Sequence, residues 1–150
     1  MLRDDVKEMN RYMNDISMAT FSYFDVGNSQ NYYTSKSDRP ERFYHGFVLG
    51  LIVDLADKYR ITSNKESGLG RYDVMMEPLA ENLDGIIMEF KVRNPAKEKD
   101  LEASVQNALC QIREKKYDTE LEARGISLER IRNYGFVFEG KKVLIGSDAS

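Results

Sequence analysis

The chain has no tryptophan, a single cysteine, a single histidine and only three prolines in 150 residues. Cys110 alone excludes an intramolecular disulfide or a cysteine-rich zinc site, so a reducing cytoplasm is the expected setting. Long apolar runs are missing too. The most apolar stretch, Gly46 to Val53, falls far short of the about 20 residues that a membrane span needs, despite its Gly-x-x-x-Gly. The opening residues Met1 to Glu8 hold no apolar signal core, so neither membrane insertion nor secretion is expected. An excess of basic residues is also lacking: the formal net charge is -3. That balance counts against a stand-alone binder of nucleic acid, whose affinity for phosphates would have to come from clustered Lys and Arg, a divalent ion or a partner. What remains is an ordinary globular composition, 41% hydrophobic and 31% charged, with enough length for one domain and a core. There is no repeat and no low-complexity tract.

Val6, Met9, Met13 and Ile16 recur at helical spacing and predict an amphipathic helix whose stripe needs a cover. Residues 27–38 are polar and turn-prone. We therefore divide the chain into an N-terminal helix and loop, 1–39, able to link to an upstream domain, and a core domain, 40–150. Pro40 suits the first turn of a helix, capped by Ser37 or Asp38, with Phe43, Phe47, Leu51 and Leu55 as its buried stripe. On that helix Gly46 and Gly50 suggest close packing of another backbone. Ile61 to Glu66 reads as a strand closed by the turn Ser67-Gly68-Leu69-Gly70, which lacks the Gly-Lys-Ser/Thr ending of a phosphate-binding loop. A second helix follows Asn94-Pro95, carries Leu101, Val105, Ala108 and Ile112, and runs to about Tyr117, with Gly125 as a later stop. Tyr134–Phe138 and Lys142–Ile145 form a closing strand pair about Glu139-Gly140-Lys141.

The chemistry concentrates in two strand-like runs, Arg71 to Met76 and Ile86 to Val92. Side chains alternate faces along a strand. Arg71 and Asp73 then share one face, with Tyr72, Val74 and Met76 on the other. In the second run Ile87, Glu89, Lys91 and Arg93 fall on one side, and Met88, Phe90 and Val92 on the other. Glu77 to Gly85, with Pro78 and Asp84-Gly85, reads as a reversal that makes the runs antiparallel neighbours. Asp73, Glu89 and Lys91 would then crowd one patch, as metal-assisted phosphodiester hydrolysis requires.

Asp73, a connection, then Glu89-x-Lys91 resembles the PD-(D/E)XK nuclease superfamily. The wording Glu41-Arg42-Phe43-Tyr44-His45-Gly46-Phe47 with Gly70-Arg71-Tyr72-Asp73 is similar to one branch, found at the C-terminal end of bacterial proteins that begin with an AAA-ATPase-like domain. The likeness runs from about Pro40 to Gly146. It implies an α/β fold with a restriction-endonuclease-like core: a mixed sheet flanked by helices in the order α-β-β-β-α-β-β, here with an extra N-terminal helix. It also implies a cytoplasmic hydrolase acting on nucleic acid, DNA first, with Mg2+ or Mn2+, in a protein that also carries the ATPase module.

Asp73 and Glu89 are the expected metal ligands, since magnesium takes oxygen donors and keeps several waters. By resemblance the Phe90 carbonyl completes the protein ligands and Glu41 reaches the metal through water. Lys91 would orient the attacking water or stabilise developing charge. Gln111 resembles the glutamine that related nucleases aim at their active sites, although Tyr117 lies six residues on, where the RecB-like branch spaces the pair by four. Arg71 and His45 are candidates for the substrate phosphate. Each residue has a plainer reading: Glu89 and Lys91 as a surface pair, Lys91 as a counterion for Asp73, Glu41 as a favourable charge at a helix start, His45 as a locally bonded ring. Two rival functions stand beside the nuclease. One is an inactive nuclease-like module that binds nucleic acid or the ATPase. The other is a glycosidase using Asp73 and Glu89, which explains neither Lys91 nor the order of elements.

Overall fold

A computed structural model describes residues 3–21, 38–64, 66–68 and 70–148, with the backbone alone for 38–41, 66, 67 and 71. A five-stranded mixed sheet runs β1 (Tyr59–Ser63), β4 (Val74–Pro78), β5 (Gly85–Val92), β6 (Ile131–Glu139), β7 (Lys142–Ser147) in spatial order. Only β5 and β6 are parallel; the other neighbours are antiparallel. β2 (Glu66–Ser67) and β3 (Gly70–Arg71) form a separate small hairpin. The helices α1 (Val6–Thr20) and α2 (Asp38–Ile52) cover one face, where Ile86, Met88 and Phe90 of β5 are buried. α3 (Leu101–Glu114) and α4 (Thr119–Ala123) cover the other, against Met75, Ile87 and Val137. The expected order of three sheet strands, helix and two strands is present, in a layered α/β architecture.

Several boundaries differ from the expectation. The first strand is Tyr59–Ser63 rather than Ile61–Glu66, because Asn64 turns the chain with a positive φ of 51°. The run Arg71–Met76 is not one strand. β3 ends at Arg71 and β4 begins at Val74, so the alternation slips across Tyr72 and Asp73. Tyr72 consequently packs with Met75 on the α3 side, opposite to Val74 and Met76. The second helix starts only at Leu101, where the Asp100 carboxylate accepts from the Ala103 N–H at 2.8 Å, and it breaks after Glu114. Lys116 there takes a φ of 53°, and Gly125, at φ 89°, ends the short α4 that follows. Gly46 and Gly50 have no close neighbour among the described residues; both lie on the exposed side of α2.

α1 is seated on the edge of the sheet by polar as well as apolar side chains. Met9 and Met13 enter the core with Ser17, whereas Ile16 is only half-buried. Asn10 donates to the Ile145 carbonyl and accepts from its N–H, both at 2.8 Å, and Asn14 does the same with Val143 at 2.7 and 2.9 Å. Two asparagines four apart thus occupy the open hydrogen-bonding edge of β7, where an unpaired strand would otherwise recruit another chain. No helix among the described residues is long and apolar enough to cross a membrane.

Two glycines set the distance between α3 and the sheet. A Cβ on Gly135 would stand 3.0 Å from that of Ala108, and one on Gly146 would stand 2.4 Å from Val105 Cγ1. Gly135 is the β6 partner of Glu89 in the parallel ladder, so the helix comes closest where that acid sits. On the opposite face the Tyr44 ring stacks on Phe138 at 4.1 Å and its hydroxyl donates to the Gly140 carbonyl at 2.7 Å, which anchors α2.

Candidate metal-binding and catalytic site

The site lies where β4 leaves β5. Their pairing ends with Val74 opposite Met88, so the next N–H on that side of β5, that of Phe90, has no β4 backbone to meet. Asp73 fills the gap. Its Oδ2 accepts from the Phe90 N–H at 2.7 Å, a side chain standing in for a ladder carbonyl. The N–H and C=O of one strand residue point to the same edge, so the Phe90 carbonyl is also directed to the Asp73 side.

Glu89 precedes Phe90 and points to the opposite face, under α3, where it is 5% exposed. Gln111 meets it there. Its Nε2 donates to Glu89 Oε1 and, at 3.2 Å, to the Tyr117 hydroxyl, while its Oε1 accepts from Lys91 Nζ at 3.2 Å. This amide orientation is the one that suits both charges, with carbonyl toward ammonium and NH2 toward carboxylate. Asp73, Glu89, Lys91 and Gln111 therefore form one cluster. The Asp73 and Glu89 carboxyl groups are within hydrogen-bonding reach of each other, and Lys91 acts on Asp73 through its charge.

Burial raises the Asp73 carboxyl above the ordinary range, and the Phe90 N–H, Lys91 and Glu89 offset this only in part. Two acids held together away from water call for a proton or a cation between them. Two carboxylates with a nearby main-chain carbonyl are an all-oxygen donor set of the kind that holds magnesium or manganese, with water and substrate phosphate at the other positions. The residues present fit such an ion. No group of three acidic, histidine or cysteine side chains able to hold a metal occurs among the described residues.

A family model for the PD-(D/E)XK nuclease superfamily matches residues 39–148. The chain belongs to the PD-(D/E)XK nuclease superfamily. Neither the search of curated proteins nor that of solved structures found a match. In this PD-(D/E)XK domain, His45 reaches the cluster from α2. Its Nδ1 stands 4.0 Å from Asp73 Oδ1, its Nε2 lies 2.7 Å from Ser63 Oγ, and its ring meets the edge of Phe90 at 5.2 Å between centroids. Burial lowers its pKa, which favours a neutral ring. Glu41 falls one turn before His45 on α2, but its side chain lies outside the described residues, and so does that of Arg71.

Two members of the cluster escape a reading of the sequence. Tyr117 follows Gln111 by six residues, which on an unbroken helix is about 240° round the axis and out of reach. The break after Glu114 folds it back, and its fully buried ring meets Tyr72 at 6.2 Å while its hydroxyl accepts from Gln111. Ser63 ends β1 and falls inside the expected strand Ile61–Glu66, where nothing marks it as a partner of His45. Beyond the cluster, Glu98 is held by the Asn94 N–H and by Ser104 and Asn107 in the loop that leads into α3. Burial pushes its carboxyl up, but those bonds and the charge of Lys91 bring it below the usual range.

Proposed function

We propose that this domain hydrolyses phosphodiester bonds of nucleic acid, DNA in the first place, with a magnesium or manganese ion held by Asp73, Glu89 and the Phe90 carbonyl. The observation that carries the reading is the convergence of Asp73, Glu89 and Lys91, from two segments sixteen residues apart or more in sequence, on one half-buried cluster bridged by Gln111. The bound ion would lower the pKa of a coordinated water and neutralise charge on the phosphate. Asp73 and Glu89 supply the negative charge that retains it. Lys91 directs its ammonium at the same place, where it orients the attacking water and stabilises the charge that develops on the phosphate oxygens. Gln111 holds Glu89 and Lys91 apart by giving each a partner, so they do not collapse into a closed ion pair. His45, beside Asp73, faces the phosphate of the substrate, and Arg71 and Glu41 are proposed to act with it.

The resemblance of residues 41–47 and 70–73 supports a bacterial, cytoplasmic context in which an ATPase module accompanies the domain. Such a partner would also supply the positive surface that a net charge of -3 lacks. That same charge favours one rival, a nuclease-like fold that only binds. Incubation with single- and double-stranded DNA and RNA decides between them. We expect cleavage that needs magnesium or manganese and disappears in Asp73→Ala and in Lys91→Ala. No cleavage of any substrate, or cleavage that survives both substitutions, would overturn the proposal.

A further inference from the structure

Lys115 caps the C-terminal end of α3, one turn beyond Gln111, and its N–H still donates to the Gln111 carbonyl at 3.0 Å. Residues four apart share one side of a helix, so Lys115 continues the side that Gln111 turns to Glu89 and Lys91. The rise between them is about 6 Å.

Three contacts hold this end of α3 against the segment that leads into Asp73. A Cβ on Gly68, which takes a φ of 57°, would stand 2.3 Å from the Lys115 carbonyl oxygen and 2.4 Å from that of Lys116, so the β2–β3 hairpin rests backbone on backbone against the turn. A Cβ on Gly70 would meet Cγ and Cδ of Lys115 at 3.3 Å, so the stem of the lysine lies along the hairpin. The Tyr117 ring, two residues on, packs on Tyr72. The stem is ordered by this packing while the residue stays exposed, as amphipathic side chains allow.

Charge singles out the same lysine. Arg93, Arg113, Arg124, Arg130 and Arg132 each lie against a carboxylate, whereas Lys115 makes no ion pair among the described residues. A polyanion that reaches Asp73 and Glu89 in a chain of net charge -3 needs cations beside the scissile position as well as at it. The 6 Å step from Gln111 compares with phosphates spaced about 3.4 Å apart along each strand of a duplex.

We infer that Lys115 binds a backbone phosphate of the nucleic-acid substrate, one or two phosphates from the scissile one, so that the strand runs along the hairpin side of α3. The identity of the substrate rests on the nuclease reading, and the contact is therefore tested apart from cleavage. A lysine at a helix C-terminus also complements the helix dipole, a role that moves stability and leaves the salt dependence of binding alone.

Fluorescence anisotropy with labelled duplex and single-stranded DNA, without metal and from about 50 to 200 mM salt, reads the contact. In Lys115→Ala the slope of log affinity against log salt should shrink by about 0.9 on duplex or 0.7 on single strand, with binding about 5- to 10-fold weaker near 0.1 M salt. Lys115→Arg should keep the wild-type slope. Lys58→Ala removes the same charge from an exposed lysine beside the far end of β4 and should change neither quantity. In the magnesium cleavage assay Lys115→Ala should raise KM by a similar factor with kcat little changed. A wild type that binds neither DNA, a slope unchanged in Lys115→Ala, or an equal loss in Lys58→Ala overturns the inference. If the wild type binds with these slopes and cleaves nothing, the nuclease reading fails and the contact stands; if it cleaves and Lys115→Ala matches it in slope and KM, the contact fails and the nuclease reading stands.

Discussion

Replacing Gln111 by leucine tests the cluster through its stability. Leucine keeps the approximate shape and removes the amide that donates to Glu89 and Tyr117 and accepts from Lys91. The three losses are unequal. Lys91 is half-exposed and turns its ammonium to water, and the Tyr117 bond is a neutral one worth about 1 kcal/mol. Glu89, at 5% exposure, has no such escape, and a bond to a buried charge is worth about 1.5–3 kcal/mol. Leucine recovers part of this by burying apolar surface, about 1 kcal/mol at a half-buried site. The sum is a destabilisation of about 2 kcal/mol, or a fall in Tm of roughly 4–8 °C for a chain of this length. Thermal and urea melts at neutral pH measure it. Magnesium should restore more Tm to the variant than to the wild type, since a cation supplies Glu89 with the partner that it has lost. A variant that melts with the wild type, or above it, would refute the reasoning, for Glu89 would then not depend on the amide.

Lys91→Gln should leave divalent-metal binding in place while lowering cleavage about 100- to 1,000-fold, and loss of its charge should drive the Asp73 carboxyl further up, as read by carbon NMR of that side chain. Because burial holds the Asp73 pKa above its ordinary value, the contribution of Asp73 to metal-free stability is fullest below the ordinary carboxylate range and is lost as pH rises through the elevated value. Urea titrations across pH 4–7 should show that decline in the wild type and a flatter profile in Asp73→Asn; identical profiles would refute it. At the far edge, Asn10→Ala with Asn14→Ala removes four bonds to β7. A loss of roughly 2–4 kcal/mol is expected, and sedimentation should show self-association through the opened strand.

The sheet was legible because its strands obey simple alternation: Ile86, Met88 and Phe90 face α2 while Ile87 faces α3, and Glu89 and Lys91 interrupt the α3 face with charge. Asp73 was legible as chemistry but not as geometry. It works because the strand stops there, and a one-residue slip in alternation cannot be told from a continuous strand by pattern alone. Tyr117 was hidden by a helix break that depends on one residue, Lys116, adopting a left-handed backbone without a glycine to announce it. The seating of α1 was hidden for another reason. Asn10, Asn14 and Ser17 look like a solvated stripe until the edge of β7 is laid along them. Ser63 matters through its partner His45, eighteen residues away, and nothing local in the sequence joins them.

Calorimetric titration of the purified domain with manganese and with magnesium addresses the centre of the account. The geometry predicts binding by the wild type that is lost in both Asp73→Asn and Glu89→Gln and kept in Ser63→Ala. Affinity undiminished by either carboxylate substitution would contradict it.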